Sequence, residues 1–272
     1  MMLSTSYSFS WRILCVVFGM GLLVFIAIRW DVTPWLRHQI DTAIQQQHLD
    51  LTYTSLERHG LQITLHGVQF KNPNMPQTLL LDEVKVSPHV LPLLHGKITA
   101  DVHIQNDFMD IQSLFTYKNH QLDMQNLDAS WDVARTQTWL ALPSPVQAQG
   151  QLYLEGSLTM DVDSGIPQSV DLTAHWQQAG GSMMSQHYPL GDYTLKAHII
   201  EQNIQWNIAG GQALTVQGEG SIHIASTPLP QWALQGNIKI QAAKTSPLAS
   251  FLTASERQLK LSGNIGHPQW QF

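Results

Sequence analysis

Asp161, Asp163, Ser164 and Gly165 stand in the order Asp-x-Asp-Ser-Gly, the oxygen-donor spacing that opens a calcium loop. Such a loop needs its glycine one residue later and a glutamate at the twelfth position. Leu172 stands there instead, so the segment reads as a hairpin turn held by its own side chains. Thirteen histidines raise the question of a transition metal. They are scattered singly, with His59 seven residues before His66 and His89 six before His95. No His-x-His or His-Glu-x-x-His spacing occurs, and strand or surface histidines are the expectation. Nucleophilic chemistry has no local framework either: there is no Gly-x-Ser-x-Gly elbow, no Ser-x-x-Lys pair, and the sole cysteine, Cys15, lies in an apolar run. Gly96-Lys97 lacks the glycine that a phosphate loop carries five residues ahead. Gly210-Gly211 and Gly218-x-Gly220 read as turns or bulges between strands. No catalytic residue, metal ligand or cofactor site is assigned, and the chain is expected not to be an enzyme.

The run from Ile13 to Ile28 is unbroken apolar sequence, closed by Trp11 and Arg12 on one side and by Arg29 and Trp30 on the other. As an α-helix, residues 11–30 would cover about 30 Å, one hydrocarbon core, with an indole and a guanidinium at each interface. A cleaved export signal is the competing reading. The core is longer than an ordinary signal core and no small-x-small site follows it, which favours a retained single-pass anchor. Arg12 faces Arg29 and Arg37 across the span, so charge does not orient it. Beyond residue 30 stand all 20 acidic residues against 12 of the 14 basic ones, a balance of −8. That excludes nucleic acid as the main partner and speaks against an anionic bilayer surface in that role.

After the anchor, Thr33 can cap and Pro34 can open a helix over residues 33–47, with Leu36, Ile40 and Ile44 on one face. From residue 50 the hydrophobic period changes from 3.6 to 2. Leu61, Ile63 and Leu65 alternate with polar residues, Gly67 shifts the phase, and Val68 and Phe70 continue it. In the segment 98–104, Ile98, Ala100, Val102 and Ile104 are expected on an apolar face, with Thr99, Asp101 and His103 facing outward. About a dozen such segments follow one another, bounded by Gly, Pro, Asn or Asp. Two further short helices are expected at 131–142 and 246–254, and 142–150 is the one candidate boundary between lobes. The fold class is mainly β: a transmembrane helix, then a long, curved, largely antiparallel sheet with a few short covering helices. Such a sheet has one continuous apolar face, which either closes into a core or forms a trough able to hold an acyl chain.

Three segments carry a family resemblance. Residues 50–70 (DLTYTSLERHGLQITLHGVQF), 79–98 (LLLDEVKVSPHVLPLLHGKI) and 259–270 (LKLSGNIGHPQW) resemble the opening strands, the Ser-Pro and Leu-Leu element, and the terminal strand of AsmA-like inner-membrane proteins. Together with the anchor and with PLGDYTLKAHI at 189–199, the chain is similar to the N proteins of the bacterial type II (general) secretion pathway in their AsmA-like form. The resemblance implies a cytoplasmic tail at 1–10, a membrane helix at 11–30, a juxtamembrane helix at 31–48 and a periplasmic β-rich domain at 49–272. It implies no catalytic residue, and as partners the inner membrane, other secretion subunits or secreted cargo. The alternative is an envelope lipid-handling protein that holds phospholipid acyl chains on its sheet.

Overall fold

A computed structural model describes residues 33–46, 50–71, 77–139, 147–183, 186–227, 229–243 and 256–271. The membrane-interface anchors Trp11, Arg12, Arg29 and Trp30 and the helix expected at 246–254 lie outside the described residues. Among the described residues no helix is long and apolar enough to cross a membrane.

The helix α1 runs Thr33–Gln46, and its Leu36, Ile40 and Ile44 stripe is half-covered while Trp35, Arg37 and Gln39 are exposed. Then the chain is almost wholly strand. In order these are β1 Asp50–Thr52, β2 Ser55–His59, β3 Gln62–Lys71, β4 Leu79–His89, β5 Ile98–Asn106, β6 Met109–Lys118, β7 Gln121–Asp132 and β8 Gln147–Asp161. They continue as β9 Pro167–Met183, β10 Gln186–Ile200, β11 Asn203–Gly210, β12 Leu214–His223, β13 Ala233–Ala242, β14 Glu256–Asn264 and β15 His267–Gln271. All fifteen belong to one sheet, and from β3 onward each strand pairs antiparallel with the next in sequence. β1 and β2 share one edge of β3, and β15 forms the other end, so the order is linear and does not close into a barrel. β7 and β8 pair over most of their length, so the sheet runs uninterrupted past the 142–150 stretch that marked a lobe boundary in the sequence.

Antiparallel neighbours need only a tight turn, and most connections are of that kind; the two long ones, 133–146 and 243–255, also lead into the adjacent antiparallel strand. Register shifts interrupt the ladder where β6 meets β7, β7 meets β8, β8 meets β9 and β9 meets β10. Such bulges bend a strand and increase its twist. Gly67 takes φ +59 at the phase shift read from the sequence, beside the Thr54 amide, which donates to the His66 carbonyl.

Two local expectations are corrected. The helix expected at 131–142 starts later: Trp131 and Asp132 finish β7, and α3 runs Val133–Trp139 with the Asp132 carboxylate accepting the Arg135 amide at 2.9 Å. An aspartate cap offers the first turn an acceptor that strand pairing would waste, so the helix begins after it. In β5 the alternation holds at Ala100, Asp101 and Val102 but fails at the strand's start. Ile98 is 58% exposed at the rim of the sheet, and Thr99 is only 8% exposed, its hydroxyl 3.3 Å from that of Thr116. His103 is partly sheltered and bonded to Asp110 at 2.9 Å. Period alone does not reveal that a strand end has outrun its neighbours or that a polar pair closes across two strands.

Candidate functional site

Strand register converts the local alternation into rows that run across the whole sheet. On one face Leu56 lies opposite Leu65, and the row continues through Val84, Ile104, Ile111 and Ala129. Beyond β7 it passes through Leu154, Ala174, Leu195, Ile208, Gly218, Ile238 and Leu259. No polar side chain interrupts it over thirteen strands. The next row on the opposite face begins Glu57, Thr64, Lys85, His103, Gln112, Asp128 and Glu155 and ends Asn237, Lys260, Gln271. It is polar at every one of these positions.

The apolar row is sheltered but not closed. Ile104, Ile111, Leu154, Leu195, Ile208 and Ile238 are each half-covered, shielded by neighbours on their own face. Full burial is reached within the row at Leu56 and Ala129, and away from it at Val68, Leu81 and Leu127. An apolar face of this extent is the feature of the molecule best suited to binding something else.

Toward the C-terminal half, glycines let an aromatic lie flat on this face. Gly220 pairs with both Trp206 and Gly236, and the Trp206 ring occupies the space where a Cβ on either glycine would stand. The sequence reading placed Gly218 and Gly220 at a turn or bulge. They sit instead inside β12, where the lack of a side chain serves close approach rather than a change of direction. Trp206 Nε1 is buried and has no hydrogen-bond partner among the described residues. Nearby, the Tyr193 and Trp176 rings are 5.8 Å apart, Tyr193 Oη donates to the Leu214 carbonyl at 2.6 Å, and burial pushes the phenol up to about 12.

The candidate chemical motifs resolve into structural ones. Asp161 Oδ1 accepts from the Ser164 amide at 2.8 Å and its hydroxyl at 2.7 Å, which makes the Asp-x-Asp-Ser-Gly stretch a turn between β8 and β9. These donors, the hydroxyl first, hold the Asp161 carboxyl below the ordinary range. Gly96 and Lys97 close the turn that follows α2, Val90–Leu93. Among the described residues no group of three or more His, Cys, Asp or Glu is placed to hold a metal ion. What sequence reading missed is that histidines pair with carboxylates from neighbouring strands or turns: His89 with Asp101 at 2.7 Å, His103 with Asp110 at 2.9 Å and, between the β6–β7 and β8–β9 turns, His120 with Asp163 at 3.0 Å. These pairs join residues 7 to 43 positions apart, and no spacing rule finds them before the register is known.

The segments that carried the family resemblance fall on β1 to β3, on β4 with α2 and the start of β5, on β10, and on the β14–β15 hairpin. No curated protein and no solved structure gives a significant match to the chain. The family model for type II secretion system protein N matches residues 62–258, from the start of β3 into β14, which is well over half of the chain and nearly all of the meander. The chain belongs to the protein N family of the type II secretion system.

Proposed function

We propose that this protein is a non-enzymatic accessory component of a bacterial type II secretion machine, anchored in the inner membrane by residues 11–30 with residues 31–272 in the periplasm. The observation that carries the reading is the family match over residues 62–258. The rows of the sheet say what such a component would offer: one polar and one apolar surface, each continuous over many strands. An interaction platform needs large, regular surface rather than a cleft, and a linear meander supplies it. Alkaline phosphatase fused after Phe272 should be active, whereas fluorescence from a cytoplasm-restricted reporter would contradict the topology. In-cell crosslinking from the sheet should recover inner-membrane secretion subunits or cargo, and deletion should reduce export of a type II substrate. Unchanged export together with no crosslinked secretion component would sink the reading.

A second reading is favoured by a specific feature, the half-covered apolar row with Trp206 on the same face, its buried Nε1 without a hydrogen-bond partner among the described residues. On that reading the face holds phospholipid acyl chains. Extraction and mass spectrometry of the protein purified in mild detergent separates the two: stoichiometric phospholipid supports lipid handling, and its absence with secretion subunits co-purifying supports the first.

A further inference from the structure

Exposed large apolar side chains are not spread evenly over the sheet. Val90, Leu91, Leu93 and Leu94 are all exposed in the single connection from β4 to β5, with Leu91 at 76% and Leu94 at 79%, and Ile98 at the start of β5 is exposed beside them. Register places other turns at the same ends of the strands. Ile63 pairs with Val86, and Ile98 with Tyr117, so the β2–β3 turn with exposed Leu61 and the β6–β7 turn beside exposed Tyr117 flank this connection. The opposite rim is finished differently: α3 packs across β7 and β8, and Trp139 lies against Phe108 with ring centroids 6.1 Å apart.

Charge follows the same division. Residues 58–61, 89–98 and 117–121 include Arg58, Lys97 and Lys118 and no aspartate or glutamate, in a chain with 20 acidic and 14 basic residues overall. The next turn along this rim, β8–β9, carries Asp161 and Asp163, and Asp163 meets His120 at 3.0 Å, so the basic stretch ends at that turn.

Chain length limits how far the end of the apolar run can lie from α1. α1 packs on β2, the strand that leads into the Leu61 turn, with Tyr53 Oη donating to Asp41 Oδ1 at 2.8 Å and the Arg37 guanidinium 5.8 Å from the Tyr53 ring centre. Thr33 begins α1 only five residues after Ile28, a reach of about 18 Å at full extension. Trp35, in the first turn of α1, is exposed as well. Ile28 therefore stands within about 18 Å of the start of α1, the helix that packs on the strand leading into this corner.

We propose that this corner is a membrane-docking surface: the β4–β5 connection, with Leu91 and Leu94 foremost, enters the interface of an anionic phospholipid bilayer while Arg58, Lys97 and Lys118 meet its headgroups. Short apolar elements flanked by basic residues bind such interfaces by shallow burial plus attraction to anionic lipid. A second anchor next to the first would fix the sheet's orientation on the membrane, which a single helix cannot do. The inference rests on the anchoring reading above.

The test uses the full chain with Cys15→Ser and a single new cysteine, Leu91→Cys or Asp107→Cys on the opposite rim, carrying an environment-sensitive fluorophore. Each is incorporated in nanodiscs of phosphatidylethanolamine with phosphatidylglycerol, or of phosphatidylcholine alone, with nitroxide-labelled lipid as quencher. The label at 91 should be quenched several-fold more than that at 107, and more strongly with phosphatidylglycerol present. Equal, weak quenching at both sites overturns the proposal, and quenching indifferent to phosphatidylglycerol overturns its anionic-lipid part. Shielding of position 91 that appears only when other secretion subunits are added assigns the corner to a protein partner and also overturns it. A chain that fails to enter the discs refutes the anchoring reading instead. The corner must then carry the chain to phosphatidylglycerol vesicles in flotation by itself, and if it does not, the proposal falls too.

Discussion

Gly236→Ala tests whether Trp206 lies on the apolar face as described. A methyl at Gly236 would meet Trp206 Cη2 at 2.8 Å and the Glu219 carbonyl oxygen at 2.8 Å, with Trp206 Cζ2 closer still. Overpacking of this kind costs about 1–3 kcal/mol. Replacing a glycine within a strand returns roughly 0.5–1 kcal/mol of backbone entropy, so a net loss of about 1–2 kcal/mol is expected. In a Trp206→Leu background the ring contacts vanish while the carbonyl contact stays, and the loss should shrink to roughly 0–1 kcal/mol. The two sites should therefore couple by about 1 kcal/mol, within the range found for side chains in contact. Urea unfolding of the four full-length variants in one detergent, followed by far-ultraviolet circular dichroism, gives the cycle. If Gly236→Ala costs the same in both backgrounds, the indole does not cover that glycine and the close approach of Trp206 to β12 and β13 is wrong.

Val68, 2% exposed, should lose about 2 kcal/mol as alanine, and Val68→Asp should lose several more by burying an unpaired charge, both read from denaturation midpoints. Tyr193→Phe should cost about 0.5–1.5 kcal/mol by removing the bond to the Leu214 carbonyl. Because the folded phenol is raised to about 12 against about 10 unfolded, its contribution is complete below pH 10 and is lost as pH rises toward 12. Tyrosinate absorbance should therefore contain a late-titrating component that Tyr193→Phe removes. The depressed Asp161 carboxyl works in the opposite direction: its contribution is present above about pH 4 and is lost as pH falls through its lower folded value. Amide exchange at Ser164 should accelerate there, and Asp161→Ala should show the fast exchange at every pH. Leu91→Glu and Leu94→Glu should each change stability by no more than about 0.5 kcal/mol, since both side chains already stand in solvent.

The local pattern of the chain determined a good deal of this architecture. Alternation such as Ile204, Trp206, Ile208 fixes a strand and assigns its two faces, because successive side chains point oppositely whatever the strand pairs with. The stripe of Leu36, Ile40 and Ile44 likewise specifies α1, and the phase shift at Gly67 moves Val68 to the opposite face from Leu65 with the register to β4 unchanged. Where a local rule met a competing local feature, as at the Asp132 cap of α3, the boundary moved by two residues. Other properties depend on which strand lies beside which. Leu56 and Leu259 share one unbroken apolar row only because each of the intervening pairings sets an apolar residue or glycine opposite the last. A slip of one residue would break the row, since it would turn every side chain of that strand to the other face. The histidine–carboxylate pairs, the Trp206 ring over Gly236 and the gathering of Leu61, Leu91, Leu94 and Tyr117 at one corner are of the same kind. Their members lie up to 43 residues or more apart in the chain, and backbone pairing between strands, which carries no trace in any one strand's own residues, brings them together.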